Sequence, residues 1–193
     1  MSKIIYLMGK SSSGKDTIYK RLLTDATLCF KTVVPYTTRP IRNGEENGVE
    51  YFFTDEEGFQ KFLAEGKIIE ARGYNTCHGL WRYFTVDDGQ ITQDGPDCLM
   101  IGTLEGYDKI RAYFGEERVL PVLIELDDGV RLQRALNREI SQEQPKYEEM
   151  CRRFLADSID FAEEKIVELG ITKRFENNDL EQCLDEIRAY INA

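Results

Sequence analysis

Short apolar runs alternate with amphipathic stretches along most of the chain. Continuous apolar runs predict buried strands, and apolar residues at i, i+3 and i+4 spacing predict the helices that cover them. Strands are predicted at Ile4–Met8, Thr32–Pro35, Cys98–Gly102, Val119–Leu126 and near Ile171–Phe175. Helices are predicted at Lys15–Leu23, Leu104–Phe114, Asp128–Arg138, Tyr147–Leu169 and Leu180–Ile191. This order predicts an α/β fold, a mostly parallel sheet with helices on both faces.

Residues 36–90 interrupt this alternation. Short alternating runs at Val49–Thr54, Ile68–Tyr74 and Trp81–Val86 surround a helix predicted at Asp55–Ala64, where Thr54 and Glu57 have the spacing of a capping box. The polar segment 140–146 lies between two predicted helices and is typical of a mobile cover. We therefore expect one domain with a core of residues 1–35, 91–126 and 170–193, a small β-rich insertion at 36–90 and a lid region at 127–169.

Composition narrows the possible functions of this 193-residue chain. Its net charge of −10 argues against nucleic acid or an anionic membrane as a partner. No apolar stretch approaches the length of a membrane span, and no signal-peptide layout is visible. Scattered cysteines and a single histidine, His78, argue against a disulfide framework, a zinc site or a Ser-His-Asp triad. We expect a cytoplasmic protein with reduced thiols.

The strongest motif is Gly-Lys-Ser-Ser-Ser-Gly-Lys at residues 9–15, between the first strand and the first helix. Its glycines let the backbone curl so that N–H groups face phosphate oxygens, and its final lysine reaches the terminal phosphates. The motif predicts a nucleoside triphosphate site made of Gly9, Ser11, Ser12, Ser13, Gly14, Lys15, Asp16 and Thr17.

The residue after the lysine departs from the usual motif. A serine or threonine hydroxyl normally stands there and holds magnesium, whereas this chain has Asp16 followed by Thr17. Carboxylate and hydroxyl oxygens are both suitable ligands for Mg²⁺. Asp16 and Thr17 are therefore the candidate metal ligands.

A second motif, Tyr-Thr-Thr-Arg-Pro-Ile-Arg-Asn-Gly-Glu, occupies residues 36–45. The proline keeps Arg39 out of helical geometry, so Arg39 and Arg42 can converge on one anion. Arginine forks bind phosphate oxygens bidentately, and a tyrosine hydroxyl adds a neutral donor. Glu70 follows an apolar run and offers a carboxylate that can accept from a ring N–H and an amino group together. Taken singly, each charged residue is more readily explained as an ordinary surface side chain, because most charged residues are exposed.

Together these motifs resemble the guanylate kinase family over nearly the whole chain. The resemblance implies a P-loop kinase that phosphorylates GMP to GDP with ATP and Mg²⁺. It implies that Arg39, Arg42 and Tyr51 hold the phosphate of GMP and that Glu70 reads guanine. The remaining GMP-site candidates are Tyr36, His78 and Thr103.

The same resemblance implies a catalytic set around the transferred phosphoryl group. Lys15 would act together with lid arginines that match Arg134, Arg138 and Arg153. Asn177 matches an asparagine near the adenine of ATP. Phosphoryl transfer needs positioning and positive charge more than covalent chemistry, which agrees with these roles.

Four positions differ from the family pattern: Asp16, Pro35, Leu80 and Thr103. The last three lie on the guanine side, where the pattern has hydrogen-bonding side chains. A pocket with fewer donors discriminates bases less sharply. Candidates to rebuild these contacts are Tyr36, Thr76, His78 and Thr103.

Three alternatives remain open at this point. Loops that end in Gly-Lys-Asp resemble those of ribose bisphosphate kinases, so another small phosphate ester such as ribose 1,5-bisphosphate is a possible substrate. A guanylate-kinase-like interaction module without catalysis and an NTPase switch are the others. The lysine of the loop argues against the module, and the acceptor motif argues against the switch. We expect GMP and ATP as small-molecule partners and a monomer or weak homodimer.

Overall fold

A computed structural model of the protein describes residues 1–76 and 79–193. Along the chain its elements are β1 (Ile4–Met8), α1 (Lys15–Leu23), β2 (Lys31–Thr32), β3 (Tyr36–Thr37), β4 (Phe52–Phe53), α2 (Glu56–Ala64), β5 (Ile68–Thr76), β6 (Gly79–Val86), β7 (Cys98–Gly102), α3 (Leu104–Phe114), β8 (Val119–Glu125), α4 (Asp128–Ile140), α5 (Tyr147–Asp160), α6 (Glu163–Glu168), β9 (Arg174–Glu176) and α7 (Leu180–Ile191).

The central sheet is parallel and has the strand order β2-β7-β1-β8-β9. Every residue of β1 is buried, and successive side chains enter opposite layers of the core. Ile4, Tyr6 and Met8 face the layer that includes α3 and α6, whereas Ile5 and Leu7 face the layer that includes α1 and α7. The predicted α/β architecture, with helices on both faces of a parallel sheet, is confirmed.

A second, smaller sheet has the order β4-β3-β6-β5. Strands β5 and β6 pair antiparallel, with Glu70 opposite Thr85 and Arg72 opposite Tyr83. One face of this sheet packs on α2 through a cluster that contains Phe59, Phe84 and Val86. The other face carries Glu70 and Arg72, because alternate residues of a strand point to opposite sides.

Three local expectations differ from the structure. The helix predicted at Tyr147–Leu169 is two helices, α5 and α6, because Ala162 is extended (φ −62°, ψ 141°) and the change of direction lets Phe161 and Ile166 enter the core. The N-cap of α2 is Asp55, whose side chain accepts from the N–H of Gly58, and not Thr54. Of the run predicted as a strand at Thr32–Pro35, pairing includes only Thr32, together with Lys31.

Within the described residues, none of the helices combines the length and the apolar character that crossing a membrane requires.

Candidate active site

The phosphate loop connects β1 to α1 and is shaped by two glycines. A Cβ on Gly9 would lie 2.4 Å from the carbonyl oxygen of Ile124, so only glycine fits against β8. Gly14 has a φ of +92°, and a Cβ there would lie 2.2 Å from Nδ2 of Asn177. Both positions therefore require glycine for the backbone to approach its neighbours.

The inside of the loop presents unused hydrogen-bonding groups. The hydroxyls of Ser12 and Ser13 are buried and have no partner among the described residues. Helix α1 has no side-chain cap, and the N–H of Thr17 donates to the carbonyl oxygen of Gly14, so the N–H groups of Lys15 and Asp16 are the ones available to an anion. Together with the helix dipole, these donors make the start of α1 a site for phosphate oxygens.

Lys15 and the candidate metal ligands lie in this first turn. The ammonium of Lys15 is 3.8 Å from a carboxylate oxygen of Asp16, whose side chain is 80% exposed. Thr17 is exposed as well. Within the described ranges, no group of three or more His, Cys, Asp or Glu side chains is placed to hold a metal ion. The loop therefore offers a lysine and a single free carboxylate, not a protein cage.

Asn177 supports the loop from behind. Its side chain is only 4% exposed and donates from Nδ2 to the carbonyl oxygen of Ser13 at 2.7 Å. Its backbone N–H donates to Glu125 at the end of β8. The sequence predicted Asn177 at the adenine of ATP, and the structure commits its amide N–H to the loop. Its neighbours Glu176 and Asn178 line a cavity of about 630 Å³ beyond β8.

A buried ion pair ties the loop to the helices of the predicted lid region. Asp157 of α5 accepts from the N–H of Ser11 at 2.8 Å. Arg131 of α4 is 1% exposed and donates to the carbonyl oxygen of Ser11 at 2.8 Å and to Asp157 at 3.2 Å. Arg131 also donates to Asp128 on its own helix. The sequence did not single out Arg131 or Asp157 as functional residues.

The predicted lid arginines lie on α4 and α5 and are exposed. A guanidinium nitrogen of Arg134 would lie 3.6 Å from a Cβ on Gly14, so Arg134 already stands beside the loop. Arg138 lies 3.8 Å from Glu139, and its side chain is 51% exposed. Arg153 has no ion-pair or hydrogen-bond partner among the described residues. These cations are therefore available to an incoming anion.

The second half of the site is a cavity of about 180 Å³ between the small sheet and the core. Tyr6 of β1, Tyr19 of α1 and Met100 of β7 line its core side, and Tyr51, Glu70 and Arg72 line the opposite side. Tyr19 is four residues after Lys15 and shares its helix face. The cavity therefore adjoins α1 on the helix face that carries Lys15.

Glu70 is the buried acid of this cavity. It is 6% exposed, and its carboxylate accepts from Thr85 Oγ1 at 2.9 Å and from Arg72 Nε at 3.2 Å. Burial raises the pKa of the neighbouring Tyr6 phenol, and the nearby charge of Glu70 adds to that rise. The Tyr6 hydroxyl therefore stays a neutral donor beside the carboxylate.

The two arginines predicted to hold the acceptor phosphate have different environments. Arg39 is 3% exposed and donates from both terminal nitrogens to Glu45, at 2.7 and 2.5 Å. This contact holds the pKa of Glu45 at about 2, well below its ordinary value of 4.5. Arg39 also lies over the ring of Tyr51, at 5.0 Å from the centroid. Arg42 is exposed, and its guanidinium has no partner among the described residues.

The three other GMP-site candidates, Tyr36, Thr103 and His78, do not all lie at the cavity. Tyr36 packs on Phe84 and Phe62 on the α2 side of the small sheet and donates its hydroxyl to Asp88 at 2.8 Å. This places Tyr36 in the small core and away from the cavity, because Phe84 and the pocket-facing Thr85 point to opposite faces. Thr103 caps α3 and accepts from Arg72. His78 lies outside the described residues.

Arg72 is a cavity residue that the sequence did not single out. It is two positions after Glu70, so both side chains share one face of β5. That spacing was a usable signal, because a charged residue two positions from a buried acid in a strand lies beside it. Leu80, by contrast, is 43% exposed near the start of β6 and packs on Gly73.

The fold and site together define a P-loop kinase: a parallel sheet, a lysine-bearing phosphate loop and a separate cavity under a small inserted sheet. A protein-family model described as guanylate kinase matches residues 1–193. The chain belongs to the guanylate kinase family.

Individual relatives agree with this family. Guanylate kinase of Symbiobacterium thermophilum is 30% identical over 196 residues, covering 98% of this chain and 84% of the relative. Guanylate kinase of Porphyromonas gingivalis is 27% identical, covering 99% and 97%. The crystal structure of guanylate kinase from Anaplasma phagocytophilum superimposes with a TM-score of 0.69 at 19% identity, covering 99% of this chain and 85% of that one, which supports the fold.

Proposed function

We propose that the protein transfers the terminal phosphoryl group of ATP to GMP, giving ADP and GDP. The family assignment supports this activity, and one observation carries it to this chain. A phosphate loop with its lysine stands at one end of α1, and a cavity with a buried carboxylate, Glu70, adjoins the same helix through Tyr19. Such a pair of sites suits a donor triphosphate and an acceptor that carries a base.

The transfer requires no covalent bond to the protein. An oxygen of the GMP phosphate forms a bond to the γ-phosphorus as the bond to the β,γ-bridging oxygen breaks, and ADP leaves with that electron pair. Loop N–H groups and Lys15 would hold the donor phosphates. Arg134, Arg138 and Arg153 would approach the transferring group when the lid region closes and water is excluded, which strengthens each charge interaction.

The acceptor phosphate would meet Arg42 first. Arg42 is exposed and unpaired within the described chain, whereas both terminal nitrogens of Arg39 are committed to Glu45. We assign Arg39 the task of fixing the ring of Tyr51 and the turn that carries Arg42. Tyr51 lines the cavity and supplies a hydroxyl donor, which burial keeps neutral by raising its pKa.

Magnesium belongs to the same proposal. The family uses ATP and generally Mg²⁺. Mg²⁺ usually keeps several waters and is bound by one or two carboxylates plus substrate phosphates, and the exposed Asp16 carboxylate at the loop fits that requirement. Asp16 would hold the ion, with Thr17 as the neighbouring hydroxyl. When bound, the ion would neutralise charge on the triphosphate.

We retain three further proposals from the sequence. The chain works as one domain with a core, an acceptor-binding insertion at residues 36–90 and a lid at 127–169. Its partners are the small molecules GMP and ATP, not nucleic acid or membrane. It acts in the cytoplasm as a monomer or weak homodimer.

A coupled ADP-release assay with Mg-ATP tests the activity. The acceptors to compare are GMP, dGMP, AMP, CMP, UMP and ribose 1,5-bisphosphate. We expect GMP to give the highest kcat/KM. Highest turnover with the sugar bisphosphate would identify a sugar-phosphate kinase instead. Binding of GMP without turnover of any acceptor would identify a catalytically silent module.

A further inference from the structure

The cavity beside α1 contains a carboxylate and a guanidinium in contact with each other. Glu70 and Arg72 point to the same face of β5, and Arg72 Nε donates to a Glu70 oxygen at 3.2 Å. Their side chains are 5% and 22% exposed. A pair so shielded from water presents a fixed pattern: hydrogen-bond acceptors on one side and donors on the other.

Contacts from the core hold Arg72 in place. Its Nη1 donates to Thr103 Oγ1 at 3.3 Å, and Thr103 is itself fixed as the N-cap of α3. These contacts use two of the five N–H donors of a guanidinium. Within the described residues, the other donors of Arg72 have no acceptor, and the side chain lines the cavity. A ligand there therefore meets several N–H groups beside the Glu70 carboxylate.

The edge of guanine is complementary to this pattern. Guanine offers donors at N1–H and at the 2-amino group, and acceptors at O6 and N7. Adenine offers a donor where guanine has O6, so a guanidinium at that position would be left opposite another donor. Arginine is the side chain most often paired with O6 and N7 of guanine in recognition sites.

We propose that Arg72 is a specificity-determining residue that donates to O6 of the guanine of GMP, while Glu70 accepts from N1–H and the 2-amino group. This inference rests on the proposed function and deepens it. It supplies the base donor that Leu80 lacks. Two of the hydroxyls nearby are already committed, that of Thr85 to Glu70 and that of Tyr19 with Thr32.

The test compares GMP with 6-thio-GMP, in which a weakly accepting sulfur replaces O6, in the wild type and in Arg72→Met. A specific arginine–guanine contact predicts that Arg72→Met lowers kcat/KM for GMP by about 10- to 100-fold. The wild type should discriminate against 6-thio-GMP, and the variant should treat the two nucleotides alike within about 2-fold. IMP keeps O6, so its kcat/KM should fall in Arg72→Met by the same factor as the kcat/KM for GMP.

Arg82→Met is the matched control. Arg82 lies on β6 and donates to Glu56 of α2, on the side of the sheet away from the cavity. It is therefore expected to leave the ratio of GMP to 6-thio-GMP unchanged. Arg72→Lys keeps the charge and should show an intermediate ratio, which also supplies the measurement if Arg72→Met does not fold.

The outcomes separate this inference from the proposed function. Wild-type protein that fails to phosphorylate GMP overturns the proposed function. Wild-type activity with an equal loss for GMP and 6-thio-GMP in the Arg72 variants overturns only the O6 contact, since Arg72 would then act through Glu70. If Arg72→Met no longer discriminates between GMP and 6-thio-GMP, which differ only at position 6, the result supports the contact.

Discussion

The carboxylate of Asp157 accepts a hydrogen bond from the backbone N–H of Ser11 at 2.8 Å. One residue belongs to the phosphate loop and the other to α5, the helix that also carries Arg153. Arg131 stands between them and contacts both. The loop and the lid helices therefore share one largely buried set of charges, and we expect a change in that set to alter the position of the loop.

Asp157→Ala should destabilise the protein. It removes one acceptor of Arg131, which is 1% exposed, and the acceptor of the Ser11 N–H, whereas Arg131 keeps its contact with Asp128, so the expected cost is about 1–3 kcal/mol. Denaturant unfolding measures the loss. Glu149→Ala on the same helix is the control, because the exposed Glu149–Arg152 pair contributes about 0.5 kcal/mol or less. Equal small effects for both variants would show that the buried pair is not coupled to folding.

Lys15→Ala should abolish turnover and leave the fold intact. The change removes the cation that we propose contacts the donor phosphates, and deletion of one group that stabilises developing charge costs about 10²–10³-fold in kcat. Lys20→Ala, one turn further along α1 and exposed, should retain activity. The coupled assay and thermal unfolding together measure both effects. Near-normal kcat in Lys15→Ala would contradict the loop assignment.

Arg42→Ala should weaken GMP and spare ATP. An arginine paired with a desolvated phosphate contributes about 2–5 kcal/mol, so the KM for GMP should rise by a factor of about 30 or more while the KM for ATP changes little. Because the guanidinium is exposed and unpaired in the described structure, unfolding stability should not change. A GMP KM equal to that of the wild type would remove Arg42 from the acceptor site.

Tyr36→Phe and Tyr51→Phe should separate a structural tyrosine from a binding one. The ring of Tyr36 packs in the small core and its hydroxyl donates to the exposed Asp88, so its variant should lose about 1 kcal/mol of stability or less with an unchanged KM for GMP. Tyr51 lines the cavity, so its variant should raise that KM. A raised KM for GMP in Tyr36→Phe together with an unchanged KM in Tyr51→Phe would instead assign Tyr36 to the acceptor site.

Protonation of Glu45 at low pH should destabilise the turn that carries Arg42. Its pKa falls from 4.5 to about 2 on folding, chiefly through Arg39. A lowered folded-state pKa gives stability that is complete above the unfolded value and lost as the pH falls towards the folded one. The stability difference between wild type and Glu45→Gln should therefore be constant above about pH 5 and shrink between pH 4.5 and 2. A constant difference across that window would contradict the shift.

The sequence predicted the elements whose formation depends on local residue patterns. Strand β1 and helix α3 follow directly from an apolar run and from helical spacing, and the loop glycines from their motif. The break between α5 and α6 has no glycine or proline to announce it, and burial of Phe161 and Ile166 decides it. Tertiary packing overrides local preference there.

Partners of charged residues escaped prediction for a different reason. Arg131 and Asp157 meet Ser11 across 120 and 146 positions of sequence, and Arg72 meets Thr103 across 31. Most charged residues are exposed, so sequence alone favours a solvated position for each of them. Only the folded structure shows that Arg131 and Arg72 are surrounded by hydrogen-bond acceptors from distant parts of the chain.

The hydrogen bond from Asn177 to Ser13 joins positions 164 residues apart. A ribosome that has made the loop, β1 and α1 has not yet made the side chain that supports the loop from behind. Domains fold as units during synthesis, so the nascent chain can assemble much of its sheet while its triphosphate site is still incomplete. A chain truncated before residue 177 would therefore contain the complete loop motif but lack the Asn177 side chain that supports the loop.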